Sequence, residues 1–204
     1  MSKRNTTLML APGTRAETGD RRGDWMITFT GRRFWPLDPR LEDVSFADIA
    51  HGLSLICRYG GHTRCFYSVA EHCVHLAVWF MEQGREDLAR FALLHDGSEA
   101  YIGDIIRPLK PQLPQFKAAE GVLERLILQA AALGDIPEAV HTADSRIIVN
   151  EARALFYPDV LERAGWVLPD QALKGVDIHG WMPGYAESEW LVVFRHLFPS
   201  LKVA

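Results

Sequence analysis

The sequence has few cysteines and no long apolar run. Its three cysteines, Cys57, Cys65 and Cys73, include no C-x-x-C pair, which favours reduced thiols over a disulfide scaffold. No apolar stretch approaches the ~20 residues needed to span a bilayer, and residues 1–24 lack the apolar segment of a secretion signal. We therefore expect a cytoplasmic protein without a membrane partner.

Positive charge is also scarce. The formal net charge is −4, with charged residues making up 24% of the chain, whereas proteins that bind long nucleic acids carry a basic surface. We expect no long nucleic-acid partner, and a small anionic substrate would need local Arg and Lys groups. At 48% hydrophobic residues, 204 residues can form one core without disulfides. The prediction is an arm over residues 1–24 and a single domain over 25–204.

Hydrophobic spacing predicts an all-α fold with a short N-terminal strand or β-hairpin. Alternation over residues 25–35 indicates the hairpin, and Ser45 or Asp48 can cap the helix that follows it. Residues 165–184 are punctuated by Gly and Pro and are expected to form a loop, with room for a short hairpin. Apolar residues spaced three and four apart predict helices over residues 45–56, 69–83, 86–100, 114–132, 137–156 and 187–198.

Four polar side chains fall within apolar helical patterns. His72 begins the second predicted helix, His95 and Asp96 form a doublet in the third, and Asp144 lies in a later one. Burying such a group without a partner costs several kcal/mol, on the order of 2–7 for a neutral polar group and more for a carboxylate. One shared divalent cation would satisfy all four, and two nitrogens with two oxygens suit Mn, Fe, Co, Ni or Zn.

The remaining histidines have an ordinary interpretation as surface or hydrogen-bonded core residues. His75 follows His72 by three residues and His141 precedes Asp144 by three, so these two are the most favourably spaced to approach the site. The doublet of His95 and Asp96 alone only suggests a metal site. The carboxylates that follow it in the sequence strengthen this interpretation.

Glu99 and Asp104 are the candidate catalytic carboxylates. Glu99 follows His95 by four residues, so the two can share a helical face. A carboxylate beside an activated water can take its proton or later protonate a leaving group. Asp104 follows Gly103 at an expected helix end, where it could face the pocket or simply cap the next turn. For Glu99 the alternative is a solvated surface position.

Phosphate chemistry also needs positive charge near the reacting group. Arg58 precedes two glycines, and Arg107 and Lys110 follow the catalytic carboxylates within a Pro-rich turn. Each could pair with phosphate oxygens, Arg in a bidentate manner, and each could equally be a solvated charge. Tyr59 could stack on a base or serve only in packing.

The order His…His-Asp…Asp resembles the HD-domain superfamily of metal-dependent phosphohydrolases. Within it, Ser-Val-Ala-Glu-His at 68–72 and His-Asp-Gly-Ser-Glu-Ala-Tyr-Ile-Gly-Asp at 95–104 look like the YfbR-type 5′-deoxynucleotidases. The resemblance covers about residues 45–157 and is weaker around Asp144, where only Ala143 and Asp144 match.

This resemblance implies an HD-type helical bundle with one tightly held divalent metal ion. Glu99 would activate the attacking water, and Asp104 would help to hold the sugar or that water. Arg58 and Tyr59 align with an Arg-Trp pair that contacts phosphate and base, with Tyr in place of Trp and a register shifted by about one residue. The implied metal ligands are His72, His95, Asp96 and Asp144.

The expected function is hydrolysis of phosphate from 5′-(deoxy)nucleotides by a metal-activated water. One alternative is a triphosphohydrolase that releases whole triphosphate from deoxynucleoside triphosphates. A phosphodiesterase or alarmone hydrolase is less favoured, because no basic nucleotide-clamping motif is apparent. A non-catalytic HD module that binds nucleotides should show a broken ligand set, which this sequence does not. Relatives suggest a homo-oligomer, for which the aromatic stretch 181–190 could supply an interface.

Overall fold

Helices dominate residues 20–203, the part of the chain that this computed structural model describes. Most of the arm expected over residues 1–24 lies outside that part. The mostly helical class is confirmed. The helices are α1 (Phe46–Leu55), α2 (Val69–Glu82), α3 (Glu86–Leu94), α4 (Glu99–Ile102), α5 (Pro114–Ala130), α6 (Glu138–Leu155), α7 (Pro158–Ala164) and α8 (Pro183–Leu197).

The expected N-terminal hairpin is present and packs against α1 and α4. Strands β1 (Met26–Ile27) and β2 (Arg33–Phe34) pair antiparallel. The carboxylate of Asp48 accepts hydrogen bonds from the backbone N–H and the hydroxyl of Thr30, at 2.7 and 2.9 Å. The buried ring of Phe34 stacks on Tyr101 with 4.1 Å between ring centroids. The hairpin is therefore fixed to the helices that surround the candidate site.

Serine residues cap the beginnings of α1 and α2. Ser45 Oγ accepts the backbone N–H of Asp48 at 3.3 Å, so Ser45 is the cap of α1. Ser68 Oγ likewise accepts the N–H of Glu71 at 3.1 Å and caps α2. Such caps stabilise a helix by about 1 kcal/mol each. The cap at Ser68 fixes the start of α2 and so places His72 in its first turn.

The prediction of a single helix over residues 86–100 is wrong, because the first helix of this region ends before His95. Helix α3 ends at Leu94, and a tight turn over 95–98 leads into the short α4. Within the turn, the N–H of Gly97 donates to the carbonyl of Leu94 at 2.9 Å, a three-residue rather than four-residue spacing. His95 Nδ1 lies 2.8 Å from the carbonyl of Ala92, which competes with regular helix bonding. The turn re-aims Glu99 relative to α3.

Three further boundaries differ from expectation. Helix α7 was not predicted; Pro158 begins it, and Gly165 with φ of +62° ends it. Helix α8 begins at Pro183 rather than at 187, because proline fits the first turn. Residues 165–182 form no strand in the structure. Instead Glu71 accepts the backbone N–H groups of Gly180 and Trp181 at 3.0 and 2.7 Å and so fixes this loop to α2.

Helix α2 lies at the centre of the molecule and packs against α3 and α8. Most of the buried apolar side chains form one contiguous cluster. Trp190, within the aromatic stretch considered for an interface, is completely buried in this core, whereas Met182 and Tyr185 are exposed. Among the described residues, no helix has both the length and the apolar character that crossing a membrane requires.

Candidate metal centre

The structure brings His72, His95, Asp96 and Asp144 together. His72 comes from the first turn of α2, His95 and Asp96 from the turn after α3, and Asp144 from α6. His72 Nε2 lies 3.3 Å from His95 Nε2 and 3.2 Å from Asp144 Oδ1. His95 Nε2 lies 3.2 Å from Asp96 Oδ2. The doublet and two distant residues thus meet at one point, as the sequence predicted.

The hydrogen bonds of the two imidazoles direct their Nε2 atoms to this point. His72 Nδ1 donates to the carboxylate of Glu151 at 2.6 Å, and His95 Nδ1 donates to the carbonyl of Ala92 at 2.8 Å. Because both acceptors lack a hydrogen to give, the Nδ1 atoms carry the protons. In the neutral rings the Nε2 lone pairs then face each other, an arrangement that a positive charge between them would stabilise.

The spacing of the donor atoms fits a transition-metal ion. Metal–nitrogen and metal–oxygen bonds of about 2.0–2.2 Å place neighbouring ligand atoms roughly 2.8–3.6 Å apart in tetrahedral or octahedral geometry. Three of the separations above fall in this range, and two are slightly longer: His72 Nε2 to Asp96 Oδ2 at 3.7 Å and His95 Nε2 to Asp144 Oδ1 at 3.8 Å. Ligand atoms of His72, His95 and Asp144 all lie within 4.8 Å of one another. The residues present therefore fit a divalent cation.

A second group, Cys73 with His95 and Asp96, is also close enough to consider. Its geometry is poorer, because Cys73 Sγ approaches the Nδ1 atom of His95, at 3.9 Å, while that nitrogen faces the carbonyl of Ala92. Burial also raises the pKa of the Cys73 thiol, and metals bind the thiolate. The two imidazoles and two carboxylates are therefore the better-placed candidate group for a cation.

The electrostatic field of the site favours positive charge. Although burial opposes its ionisation, His95 lowers the pKa of Asp96, and hydrogen bonds from His72 and His95 lower that of Asp144 in the same way. The pKa of His95 is raised well above its usual value, because Asp96 outweighs the opposing effect of burial. A site that retains a proton this strongly is one where a divalent cation can replace that proton.

Glu99 is buried and lies near Asp96, one of the four candidate ligands. Its Oε1 accepts a hydrogen bond from Lys110 Nζ at 3.1 Å, and its buried Oε2 has no hydrogen-bond partner. Burial, together with Asp96 and Asp104, raises the pKa of Glu99 to about 8, while Lys110 opposes the shift. Burial also raises the pKa of Asp104. No described helix begins at Asp104, so the capping alternative is not supported.

Comparison with known proteins finds relatives of the chain, although no family model matches it. It is 37% identical over 133 residues to the protein named "Uncharacterized protein YfdR" of Escherichia coli strain K12, covering 65% of this chain and 72% of YfdR. The chain belongs to the YfdR family. It is also 40% identical over 91 residues to "Uncharacterized protein RCAP_rcc00048" of Rhodobacter capsulatus, covering 42% of this chain and 46% of that protein.

Neither name in the YfdR family states an activity, so the chemistry must be read from the side chains. The expected substrate-binding cations differ in their surroundings. Arg58 is largely buried and donates to Asp96 Oδ2 at 3.1 Å. Lys110 pairs with Glu99 and with Glu120, the latter at 3.0 Å. Arg107 is 73% exposed and lies 3.8 Å from Asp144 Oδ2, at the rim of the site.

Tyr59 is turned inward in this member of the YfdR family. Its hydroxyl donates to Glu151, and its ring makes edge contacts with Phe156 and Trp166. Its backbone has φ of +59°, a left-handed conformation that is uncommon for a residue with a side chain. The structure thus places Tyr59 behind the ligand His72, and a contact between Tyr59 and a base remains a prediction.

Sequence reasoning missed Glu151, which is completely buried and bonded to His72. Burial opposes its ionisation, but Arg58 and His72 lower the pKa of Glu151 to about 2. The signal that could have found it is its position seven residues after Asp144, two turns along the same face of α6.

The two additional histidines have different positions. His75 lies 3.4 Å from the carboxylate of Glu71 and packs on Trp181, so it belongs to the loop anchor. His141 lines a cavity of about 150 Å³ that opens beside the ligands. The other residues around that cavity are His95, Asp96, Ser98, Lys110, Glu120, Glu124, Ile136 and Asp144.

Proposed function

We propose that this protein is an HD-type metal-dependent phosphohydrolase that removes phosphate from 5′-(deoxy)nucleotides. The observation that carries the proposal is the convergence of the Nε2 atoms of His72 and His95 with two carboxylates, next to the buried Glu99. The resemblance of residues 68–72 and 95–104 to the HD superfamily adds independent support. We also propose that the helices form the HD-type bundle and that the protein acts in the cytoplasm.

The four ligands His72, His95, Asp96 and Asp144 would hold one divalent ion, with Mn, Fe, Co, Ni and Zn all compatible with this donor set. When bound, such an ion lowers the pKa of water and neutralises charge on phosphoryl oxygens. The protein contributes a fixed geometry, because each imidazole is held through its Nδ1 atom.

Glu99 is the residue placed to handle the proton. Its unpartnered Oε2 can accept a proton from the water whose oxygen forms the new bond to phosphorus. When the bond from phosphorus to the 5′-oxygen breaks, the same carboxyl group can return a proton to the leaving oxygen. A cation beside Glu99 favours its charged form and lowers its pKa from the value of about 8, toward the range in which a base works at neutral pH.

The charges around the cavity favour a monophosphate over a triphosphate. Lys110 already contacts Glu99 and Glu120, and Arg58 already contacts Asp96 and Glu151. Glu124 adds a further carboxylate to the lining. A triphosphate brings more negative charge and more bulk into a cavity of about 150 Å³ whose lining residue Lys110 is already engaged with carboxylates. We therefore place the triphosphohydrolase second, and a non-catalytic module third because the ligands and Glu99 are all present.

Product analysis tests the proposal. Protein stripped with a chelator is offered deoxynucleoside mono- and triphosphates with Mn²⁺ or Co²⁺, and the products are separated. We expect orthophosphate from monophosphates, loss of both ion retention and turnover in Asp96→Ala, and loss of turnover with ion retention in Glu99→Gln. The matched control Glu162→Gln removes the same charge from the exposed side of α7 and should behave as wild type.

The alternatives give different products. Release of intact triphosphate from a deoxynucleoside triphosphate would replace the proposal with the triphosphohydrolase. Binding of Mn²⁺ without any phosphate product would favour the non-catalytic module. A Glu99→Gln variant with the wild-type rate would remove Glu99 from the mechanism.

A further inference from the structure

Glu151 is a buried carboxylate that the proposed reaction does not use. It lies on α6 with no exposed surface. Its Oε1 accepts hydrogen bonds from His72 Nδ1 at 2.6 Å and from the hydroxyl of Tyr67 at 3.0 Å. Its Oε2 accepts from the hydroxyl of Tyr59, and Arg58 Nε lies 3.6 Å from Oε1. A carboxylate in an apolar core is costly, so this one calls for an explanation.

The surroundings of Glu151 determine which ring nitrogen of His72 carries the proton. Two tyrosine hydroxyls and a guanidinium are all directed at the carboxylate, so the group acts as an acceptor only. His72 must then present a hydrogen on Nδ1, and in the neutral ring its Nε2 atom is left with a lone pair. That lone pair faces His95 Nε2 at 3.3 Å and Asp144 Oδ1 at 3.2 Å.

The loop before α2 is held in an unfavourable conformation by the same group. Tyr59 has φ of +59° and ψ of +23°, a left-handed conformation that is unfavourable for a residue with a side chain. It persists because the loop delivers the Tyr59 hydroxyl and the guanidinium of Arg58 to Glu151. Residues in strained conformations concentrate where geometry matters for function.

We propose that Glu151 is a positioning residue that fixes the tautomer and ring orientation of His72 and thereby sets the affinity of the centre for a divalent cation. This inference rests on the proposed metal site. Outer partners of metal-bound imidazoles typically change metal affinity by about 10–100-fold when they are removed. Glu151 would contact neither the ion nor the substrate.

A purely structural role is the alternative. In that case Glu151 only neutralises Arg58 and satisfies the tyrosines, and its loss would lower stability without a specific effect on the ion. The chain offers a matched control in Tyr67→Phe, which removes one hydrogen bond from the same Oε1 atom and leaves His72 untouched.

The test measures Mn²⁺ binding by calorimetry and urea unfolding on the same metal-free samples of wild type, Glu151→Gln and Tyr67→Phe. We expect Glu151→Gln to weaken Mn²⁺ binding by about 10–100-fold. Tyr67→Phe should keep the wild-type affinity within about threefold, although it too loses stability through the missing hydrogen bond. Equal Mn²⁺ affinity in Glu151→Gln and wild type would overturn the inference and leave the metal site intact. If wild type itself binds neither Mn²⁺, Co²⁺ nor Zn²⁺, the proposed function and this inference both fall.

A second readout does not depend on the folding of the Glu151→Gln variant. Long-range ¹H–¹⁵N spectra of metal-free wild-type protein report which imidazole nitrogen carries the proton. We expect the Nδ1-protonated tautomer for His72, assigned with a His72→Asn variant. A His72 ring protonated only on Nε2 would refute the positioning role whatever the affinities.

Discussion

The burial of Glu99 leads to a prediction about the stability of the protein, and this prediction does not depend on catalysis. In metal-free protein this carboxyl group is almost inaccessible to water, with 4% of its side chain exposed. Its neighbours Asp96 and Asp104 disfavour its charge, and Lys110 only partly compensates. Replacing it with the uncharged isostere in Glu99→Gln should therefore stabilise the metal-free protein, provided that the pH is high enough to ionise the wild-type group.

The sign and size follow from the pKa of Glu99, which rises from 4.5 to about 8 on folding. The folded state binds more protons than the unfolded state between these values, so this group makes wild-type stability fall as pH rises through that window. At about 1.4 kcal/mol per pKa unit, the full cost of Glu99 reaches about 3–5 kcal/mol above pH 8. Below pH 4.5 the group is neutral in both states and costs nothing.

Urea unfolding of chelator-stripped protein at a series of pH values measures this difference. We expect the free energies of unfolding of wild type and Glu99→Gln to be similar near pH 5 and to diverge toward pH 9 in favour of the variant. The control Glu162→Gln, on the exposed side of α7, should stay within about 0.5 kcal/mol of wild type throughout. A constant difference between wild type and Glu99→Gln over this range would refute the account of the buried carboxyl group.

Two other predictions address the centre and the loop. Mn²⁺ affinity should increase with pH, because the raised pKa of His95 means that the ion must displace a proton there. Calorimetry in buffers of different ionisation enthalpy would detect the released proton. Binding that does not change with pH would contradict the role of His95 as a metal ligand. Gly180→Ala should lower the free energy of unfolding by about 1–3 kcal/mol and leave Mn²⁺ binding unchanged, because φ of Gly180 is +72° and a Cβ there would lie 2.7 Å from the carbonyl oxygen of Phe66. Thermal unfolding of the variant measures this loss, and unchanged stability would refute the prediction.

Much of the helical fold could be predicted from local signals. Ser45 and Ser68 precede apolar patterns of helical period, and both cap helices in the structure. The break at His95 could not be predicted in this way, because apolar residues continue through Leu94 and again at Ala100. The turn depends on the His95 side chain reaching the carbonyl of Ala92, a contact that no periodic pattern encodes.

The candidate ligands could be predicted from the sequence, but Glu151, the residue that holds His72 in place, could not. His72, His95 and Asp144 stand out because a polar residue in an apolar helical pattern needs a partner. Glu151 has the same property, yet its neighbours along α6 include the polar Asn150 and Arg153, so the sequence suggests a solvated face. Its spacing of seven residues from Asp144 is a weak local signal, and its bond to His72 forms only because α2 lies against α6.

The hairpin before α1 contacts α4, the helix that begins at Glu99, although it lies outside the region that resembles HD proteins. Tyr101 follows Glu99 by two residues in α4, and its hydroxyl is clamped between the backbone N–H and carbonyl of Ser45 at 3.0 and 3.2 Å. The ring of Phe34 covers the other side of Tyr101. The hairpin thus supports α4, the helix that begins at Glu99, from one side. We expect a shortened protein that starts after the hairpin to keep all four candidate ligands and to hold Glu99 less firmly.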